Sequence, residues 1–196
     1  MSPAAALPLV PPGEHDLIVD QSYDADGGHW GTAVFDRGRT YRYLLTRVWD
    51  TGRPLIVYVM LNPSTADALK ADPTIRRCTG FARRERAGGL VVVNLFALRA
   101  TNPQRLRDHE APVGPCNDAF IRQAVRVSGG RVVAAWGAAG VEHGRDRQVL
   151  TMLHRARASV QCLGVTATGQ PRHPLYLAGD VPLRPYAGPR PHQVRP

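Results

Sequence analysis

The chain has 196 residues, 43% of them apolar, and a formal net charge of +9. That length suggests one domain with a full hydrophobic core. Three cysteines without a Cys-x-x-Cys pair (Cys78, Cys116, Cys162) argue against a disulfide-stapled secreted scaffold and against a four-cysteine metal site, and no apolar run reaches the roughly 18 residues of a membrane span.

In chain order, residues 1–20 are rich in Pro and Ala and read as a flexible arm. The apolar start MSPAAALPLVPPG has no basic leader and is broken by prolines, so it is not read as a signal peptide. A cytoplasmic protein is expected. Residues 31–36 and 39–48 flank Arg37-Gly38 and read as an antiparallel hairpin. Residues 55–61 (LIVYVML) are a continuous apolar strand. A helix follows over 73–86, with Pro73 in its first turn and an apolar stripe of Ile75, Cys78, Phe81 and Ala82. Arg76, Arg77, Arg83 and Arg84 fall on its other side and read as a solvated face. Residues 90–97 (LVVVNLFA) are a second strand. A helix is predicted over 118–127, with Asn117 as N-cap. Residues 131–136 are a third strand and 145–157 a helix with Val149, Leu150, Leu153 and Ala156 inward. Residues 160–165 are a fourth strand. The Pro/Arg-rich tail, 183–196, reads as irregular. One domain over 21–182 results, with four buried strands separated by helices: an α/β fold with a parallel sheet covered on both faces, preceded by the hairpin.

Three segments carry the polar residues of interest: VMLNPSTAD (Val59–Asp67), VVVNLFALRAT (Val91–Thr101) and GQPRHPLYL (Gly169–Leu177). Ligands in open α/β sheets bind at the carboxyl ends of the strands, so Asn62, Asn94 and His173 are candidates for one pocket. Asn62 is neutral and cannot act as a base, but its carbonyl can orient a water. Pro63 and Ser64 complete its turn, and Ser64 with Asp67 forms a capping pattern. Asn94 interrupts an apolar strand. Its carboxamide either bonds a neighbouring loop or recognises a planar donor–acceptor edge such as a nucleobase. His173, with Arg172 before it and Pro174 after it, can donate to a developing anion. Gly137 opens a glycine turn that either binds a phosphate or is a plain turn. Phe81 either stacks on a base or packs in the core. The chain has 24 arginines and one lysine, Lys70. A polyanionic partner, nucleic acid or nucleotide, fits that excess, and so does a bias in genome base composition. No metal or cofactor motif is present.

LNPSTAD, DPTIRRC, VVVNLFALRAT, AWG and GQPRHPLYL resemble an uncharacterised bacterial family, domain of unknown function 1643, from about Tyr41 to Leu177. More distantly, the order of motifs resembles the uracil-DNA glycosylase superfamily. Leu61-Asn62-Pro63 is similar to its first motif, Asn94 falls where it reads the base, and His173-Pro174 matches the start of its closing motif. Met60, Leu61 and Leu175 depart from it, and Leu175, Tyr176 or Leu177 could stand for its wedge. Cys116 lies where some members bind a cluster, but without partner cysteines no iron–sulfur cluster is expected.

The resemblance implies a three-layer α/β/α fold with a short four-stranded parallel sheet. It also implies a hydrolase of N-glycosidic bonds acting on nucleic acid or a nucleotide, of the kind used in DNA repair. Asn62 would position water, Asn94 would read the base and His173 would stabilise the departing base. No cofactor and no membrane partner are expected, and a monomer is. The alternative is a non-enzymatic nucleic-acid or nucleotide-binding module of the same fold.

Overall fold

The structure is a computed structural model, and it describes residues 10–11, 16–64, 72–102 and 104–189. Asp67 of the capping pattern, Lys70, and most of the arm and tail ends lie outside these residues. Eight strands form one mixed sheet: β1 (Leu17–Asp24), β2 (His29–Asp36), β3 (Arg42–Val48), β4 (Leu55–Met60), β5 (Gly89–Asn94), β6 (Arg131–Ala134), β7 (Ser159–Cys162) and β8 (Arg184–Pro185). Between them come α1 (Pro73–Arg84), α2 (Gln104–Asp108), α3 (Asn117–Val127) and α4 (Arg145–Arg155). The spatial order is β1-β2-β3-β5-β4-β6-β7-β8.

The four strands read as parallel are so: β4 pairs with β5 and with β6, and β6 with β7. The expected four-stranded sheet is nevertheless corrected to eight. β3, β2 and β1 extend it antiparallel on one side, and β8 does so on the other. The reason lies in β3, all seven of whose residues are buried. Such a strand has to be covered on both faces and paired on both edges, so the hairpin joins the sheet instead of sitting beside it.

Two segments assigned to irregular ends are ordered. Residues 17–20 begin β1, whose turn into β2 is held by the Asp24 carboxylate accepting the Gly27 N–H at 2.9 Å. At the other end β8 pairs with β7, and Tyr186 is buried with its ring edge-on to Trp136. Its hydroxyl donates to the Gly169 carbonyl at 3.2 Å.

Alternation along the central strands sorts two cores. Val57, Val59, Val91, Val93, Val132 and Ala134 face α3 and α4, where they meet Phe120, Ile121, Ala124, Val149, Leu150 and Leu153. Ile56, Tyr58, Met60, Leu90, Val92, Val133 and Ala135 face α1, where they meet Ile75, Cys78, Phe81 and Ala82. The predicted stripe of α1 is therefore the buried one. In α4, Arg145 and Asp146 are buried as well, while Ala156 lies beyond the helix and is exposed. From β4 the chain turns to the α1 face and from the adjacent β6 to the α4 face. In open α/β sheets, ligands bind between two such strand ends.

Local capping differs from expectation at α3. Cys116, not Asn117, precedes the helix, and Asn117 is fully buried inside its first turn. Its Nδ2 donates to the Asn94 carbonyl at 2.9 Å and the Leu95 carbonyl at 3.0 Å, tying α3 to the end of β5.

The loop entering β5 is the tightest joint. A Cβ on Gly88 would lie 1.9 Å from the Asp50 carbonyl oxygen and 2.7 Å from that of Arg53. Both are backbone atoms and cannot turn aside. Gly88→Ala is therefore expected to cost about 2–3 kcal/mol, read by chemical denaturation. Gly80, in α1 with open space around its Cβ position, is the control. Gly80→Ala should gain about 0.5–1 kcal/mol from helix propensity.

Candidate functional site

The two asparagines sit at neighbouring strand ends. Asn94 closes β5 directly opposite Met60 in the parallel register. Backbone pairing then continues one step further, with Leu95 N–H donating to Met60 O at 2.8 Å and Phe96 N–H to Leu61 O at 3.0 Å. Alternation places the Asn94 side chain on the α1 face, and the residue is 3% exposed. Asn62, half-buried, follows Leu61. Its Nδ2 donates to Ala100 O at 2.7 Å and Pro63 O at 3.1 Å. The buried Pro63 carbonyl also accepts the Ala100 N–H at 3.0 Å. The loops after β4 and β5 are thus stitched together by Asn62 and Pro63. This uses the nitrogen of the Asn62 carboxamide; orienting a water would use its Oδ1.

The third strand end carries the histidine. Gly137, at φ +75°, follows β6, and its N–H donates to Pro171 O at 2.9 Å. A Cβ there would stand 3.9 Å from the His173 Cβ. The turn before His173 is anchored from below. Gln170, 1% exposed, accepts the Trp136 indole N–H at 2.7 Å and donates to the buried Asp146 carboxylate at 2.7 Å. One side chain therefore joins the end of β6, the first turn of α4 and the segment leading to His173.

The ring of His173 has a defined orientation. Its Nδ1 accepts the Leu175 N–H at 3.3 Å, so in the neutral ring the proton is on Nε2. Burial pushes its pKa below the usual 6.5, against the pull of the Asp72 carboxylate. His173 is thus a neutral imidazole near pH 7 with Nε2–H as donor.

Asp72 was not singled out from the sequence. It is the N-cap of α1, its carboxylate accepting the Ile75 N–H at 2.7 Å. The dipeptide Asp72-Pro73 carried that signal, an N-cap followed by Pro at the first helical position. Asp72 also lies within electrostatic reach of Arg42. Arg42 is 6% exposed, and its Nε is buried without a hydrogen-bond partner. Burial, with Arg99 adding like-charge repulsion, lowers its pKa to about 10, so it remains a cation at neutral pH. Nothing in the pattern Tyr41–Leu45 announced a buried arginine.

Other sequence candidates are placed elsewhere. Phe81 is 2% exposed in the α1 core, with Arg84 5.1 Å and Arg77 6.0 Å from its ring centre. Arg172 is exposed and touches Gly164 through its backbone. Pro174 is buried and opens a 3-10 turn, Pro174–Tyr176. The segment after Ser64 that its capping pattern with Asp67 concerns lies outside the described residues, and α1 itself is capped by Asp72. In the Gly137 turn, the Gly137 N–H is taken by Pro171 O and the Gly140 N–H by Gly137 O. The arginine face of α1 is largely spent on the fold. Arg77 donates to Leu177 O, Arg84 to Gly179 O and Val181 O, and Arg83 to Gly27 O. Arg76 is exposed. Of the three wedge candidates, Leu177 is 4% and Tyr176 78% exposed, and Leu175 is half-buried. Leu175, with Arg76, Arg77 and Gly80, lines a groove of about 530 Å³ along α1. A second depression, about 550 Å³ between Asp26, Asp50, Arg53 and Arg83, lies beside the loops that precede β4 and β5, away from these residues.

The sequence pattern of a protein family described only as being of unknown function (DUF1643) matches residues 42–175. The chain belongs to that family. The DUF1643 span starts at Arg42, the first residue of β3, and ends at Leu175, so it includes Asn62, Asp72, Asn94, Gly137 and His173 but not β1, β2 or β8. A comparison with curated proteins finds no match. No helix among the described residues is long and apolar enough to cross a membrane.

Asp72→Asn keeps an N-cap acceptor but removes the charge that favours protonated His173. An NMR titration should find the His173 midpoint below 6.5 in the wild type and lower still in Asp72→Asn. Because the folded value lies below the unfolded one, the stability linked to this group is fully present above the unfolded value. It is lost as pH falls through the folded value.

Proposed function

We propose that this DUF1643 protein hydrolyses the N-glycosidic bond of a nucleobase in nucleic acid or a nucleotide, in the manner of the uracil-DNA glycosylases it distantly resembles. The observation that carries the reading is the neutral His173, its Nδ1 occupied by a backbone N–H and its Nε2–H a donor, at the sheet edge that also bears Asn62 and Asn94. Bond cleavage sends the electron pair of the C1′–N bond onto the base. A neutral donor aimed at that developing anion can be worth about 3–4 kcal/mol. The water oxygen bonds to C1′, one of its protons passes to solvent, and the base recovers a proton. Asn62 would hold the water through Oδ1, and Asn94 would hydrogen-bond the base edge. In a duplex the base would first have to leave the stack.

The second reading is a binding module that keeps the pocket without turnover. The commitment of the Asn62 amide to Ala100 O and Pro63 O favours it, since that side chain has a structural task whether or not it serves chemistry.

Base release from single- and double-stranded oligonucleotides and from nucleotides carrying uracil, hypoxanthine, xanthine or oxidised bases tests both readings. Release is expected in the wild type and a loss of at least 100-fold in His173→Ala, the scale of one removed charge-stabilising donor. Asn62→Ala should also lose release. Salt-sensitive binding with no release from any substrate would overturn the hydrolase and favour the module.

A further inference from the structure

A buried cation without a partner is strongly unfavourable, and proteins supply it with an anion or bind one. Arg42 is such a cation. It is 6% exposed, its Nε is buried and unbonded, and among the described residues its guanidinium makes no hydrogen bond or ion pair. Among the described residues, the charged groups within its electrostatic reach are two further arginines, Arg99 and Arg47, and one carboxylate, Asp72, already engaged as the cap of α1. The described part of this neighbourhood holds three arginines and one carboxylate. It lies beside the start of α1, whose dipole also favours negative charge.

We infer that Arg42 forms the floor of a subsite for a compact phosphate group, the terminal monoester of a small phosphorylated ligand, opening at the sheet edge shared by Asp72 and His173. The guanidinium fork matches two phosphate oxygens. Its depth favours a terminal group: a backbone phosphodiester carries a sugar on both sides and cannot follow a side chain that is nearly covered. The inference deepens the functional reading above, and rests on it only for the rest of the ligand, which becomes a free mononucleotide. The phosphate subsite itself does not depend on glycosidic chemistry.

The test uses the full chain and reads thermal unfolding during titration with inorganic phosphate, against chloride at matched ionic strength. Phosphate should raise the Tm saturably in the wild type and in Arg76→Gln, on the exposed face of α1, and not in Arg42→Gln. Arg42→Lys, which keeps the charge but not the fork, should bind phosphate at least fivefold more weakly. Asp72→Asn should bind it at least threefold more tightly, because a repelling carboxylate is gone. Uridine 5′-monophosphate should reproduce the shift and uridine should not.

In phosphate-free buffer Arg42→Gln should melt no lower than the wild type. A lower melting point would mean that the cation already has a partner within the protein, which would overturn the inference. Equal phosphate shifts in wild type and Arg42→Gln, or a shift matched by chloride, would do the same. An Arg42-dependent shift from an oligonucleotide without a terminal phosphate would move the site to nucleic-acid backbone and overturn the monoester assignment. None of these outcomes depends on base release, so the subsite and the hydrolase reading can fail separately.

Discussion

Burial of β4 on both faces is the constraint from which the site follows. All six residues of the strand are buried, between α1 on one side and α3 and α4 on the other. A strand covered this way makes polar side chains costly along its length, and the polar group β4 does carry, the Tyr58 hydroxyl, is buried with no hydrogen-bond partner among the described residues. Polar chemistry is displaced to the point where cover ends, and for β4, β5 and β6 that point is the same edge. The chain leaves β4 toward one layer and β6 toward the other, so the helices diverge there and the strand ends are left to the connecting segments. Asn94 at the end of β5 and Asn62, Gly137 and the turn before His173, in the segments beyond β4, β6 and β7, lie at that edge.

The loops are held by side chains borrowed from the opposite layer. Asn117 and Arg145 both donate to the Leu95 carbonyl, Arg145 through Nε at 2.8 Å, and Arg145 is also paired with Asp118. Gln170 performs the equivalent task below His173. Charge and amide groups beneath the sheet edge thus fix the backbone, while the α1 face above it carries Asn94, Asp72 and Arg42. Much of the basic excess is likewise structural. Arg77, Arg83, Arg84, Arg131 and Arg145 all donate to backbone carbonyls, so each holds a loop or strand end in place while keeping its charge.

The parallel strands and the stripe of α1 were legible because their apolar periods are long and uninterrupted. The Asn62 and Asn94 positions were legible for the same reason, as the first polar residues at the ends of such runs. β1 was not: only its first three residues, Leu17–Val19, are a run, and it alternates between half-buried and exposed. The turn chemistry of Asp26-Gly27-Gly28 was there to be read, but one strand of the hairpin had no clear pattern. β8 is two residues long and is held by the anchorage of Tyr186, a long-range contact that local periodicity does not encode. Asn117 was misread because an asparagine before a helical run looks like a cap, whereas a nearby pair of strand-end carbonyls competes for the same amide. Arg42 was invisible because burial of a charge is a property of the assembled edge, not of its neighbours in the chain.

The hairpin of β1 and β2 lies outside the DUF1643 span, and β3, the strand it covers, is buried along its whole length. Cut back to the span alone, the sheet would end in a bare strand with unpaired amides and apolar side chains on both faces, a template for pairing with other chains. β1 is a far safer border. Its side chains are half-exposed or exposed in alternation, and Asp20 is clamped by Arg39 at 2.8 Å. The segment preceding the family span therefore sets a half-exposed strand, in place of a wholly buried one, at that border of the sheet.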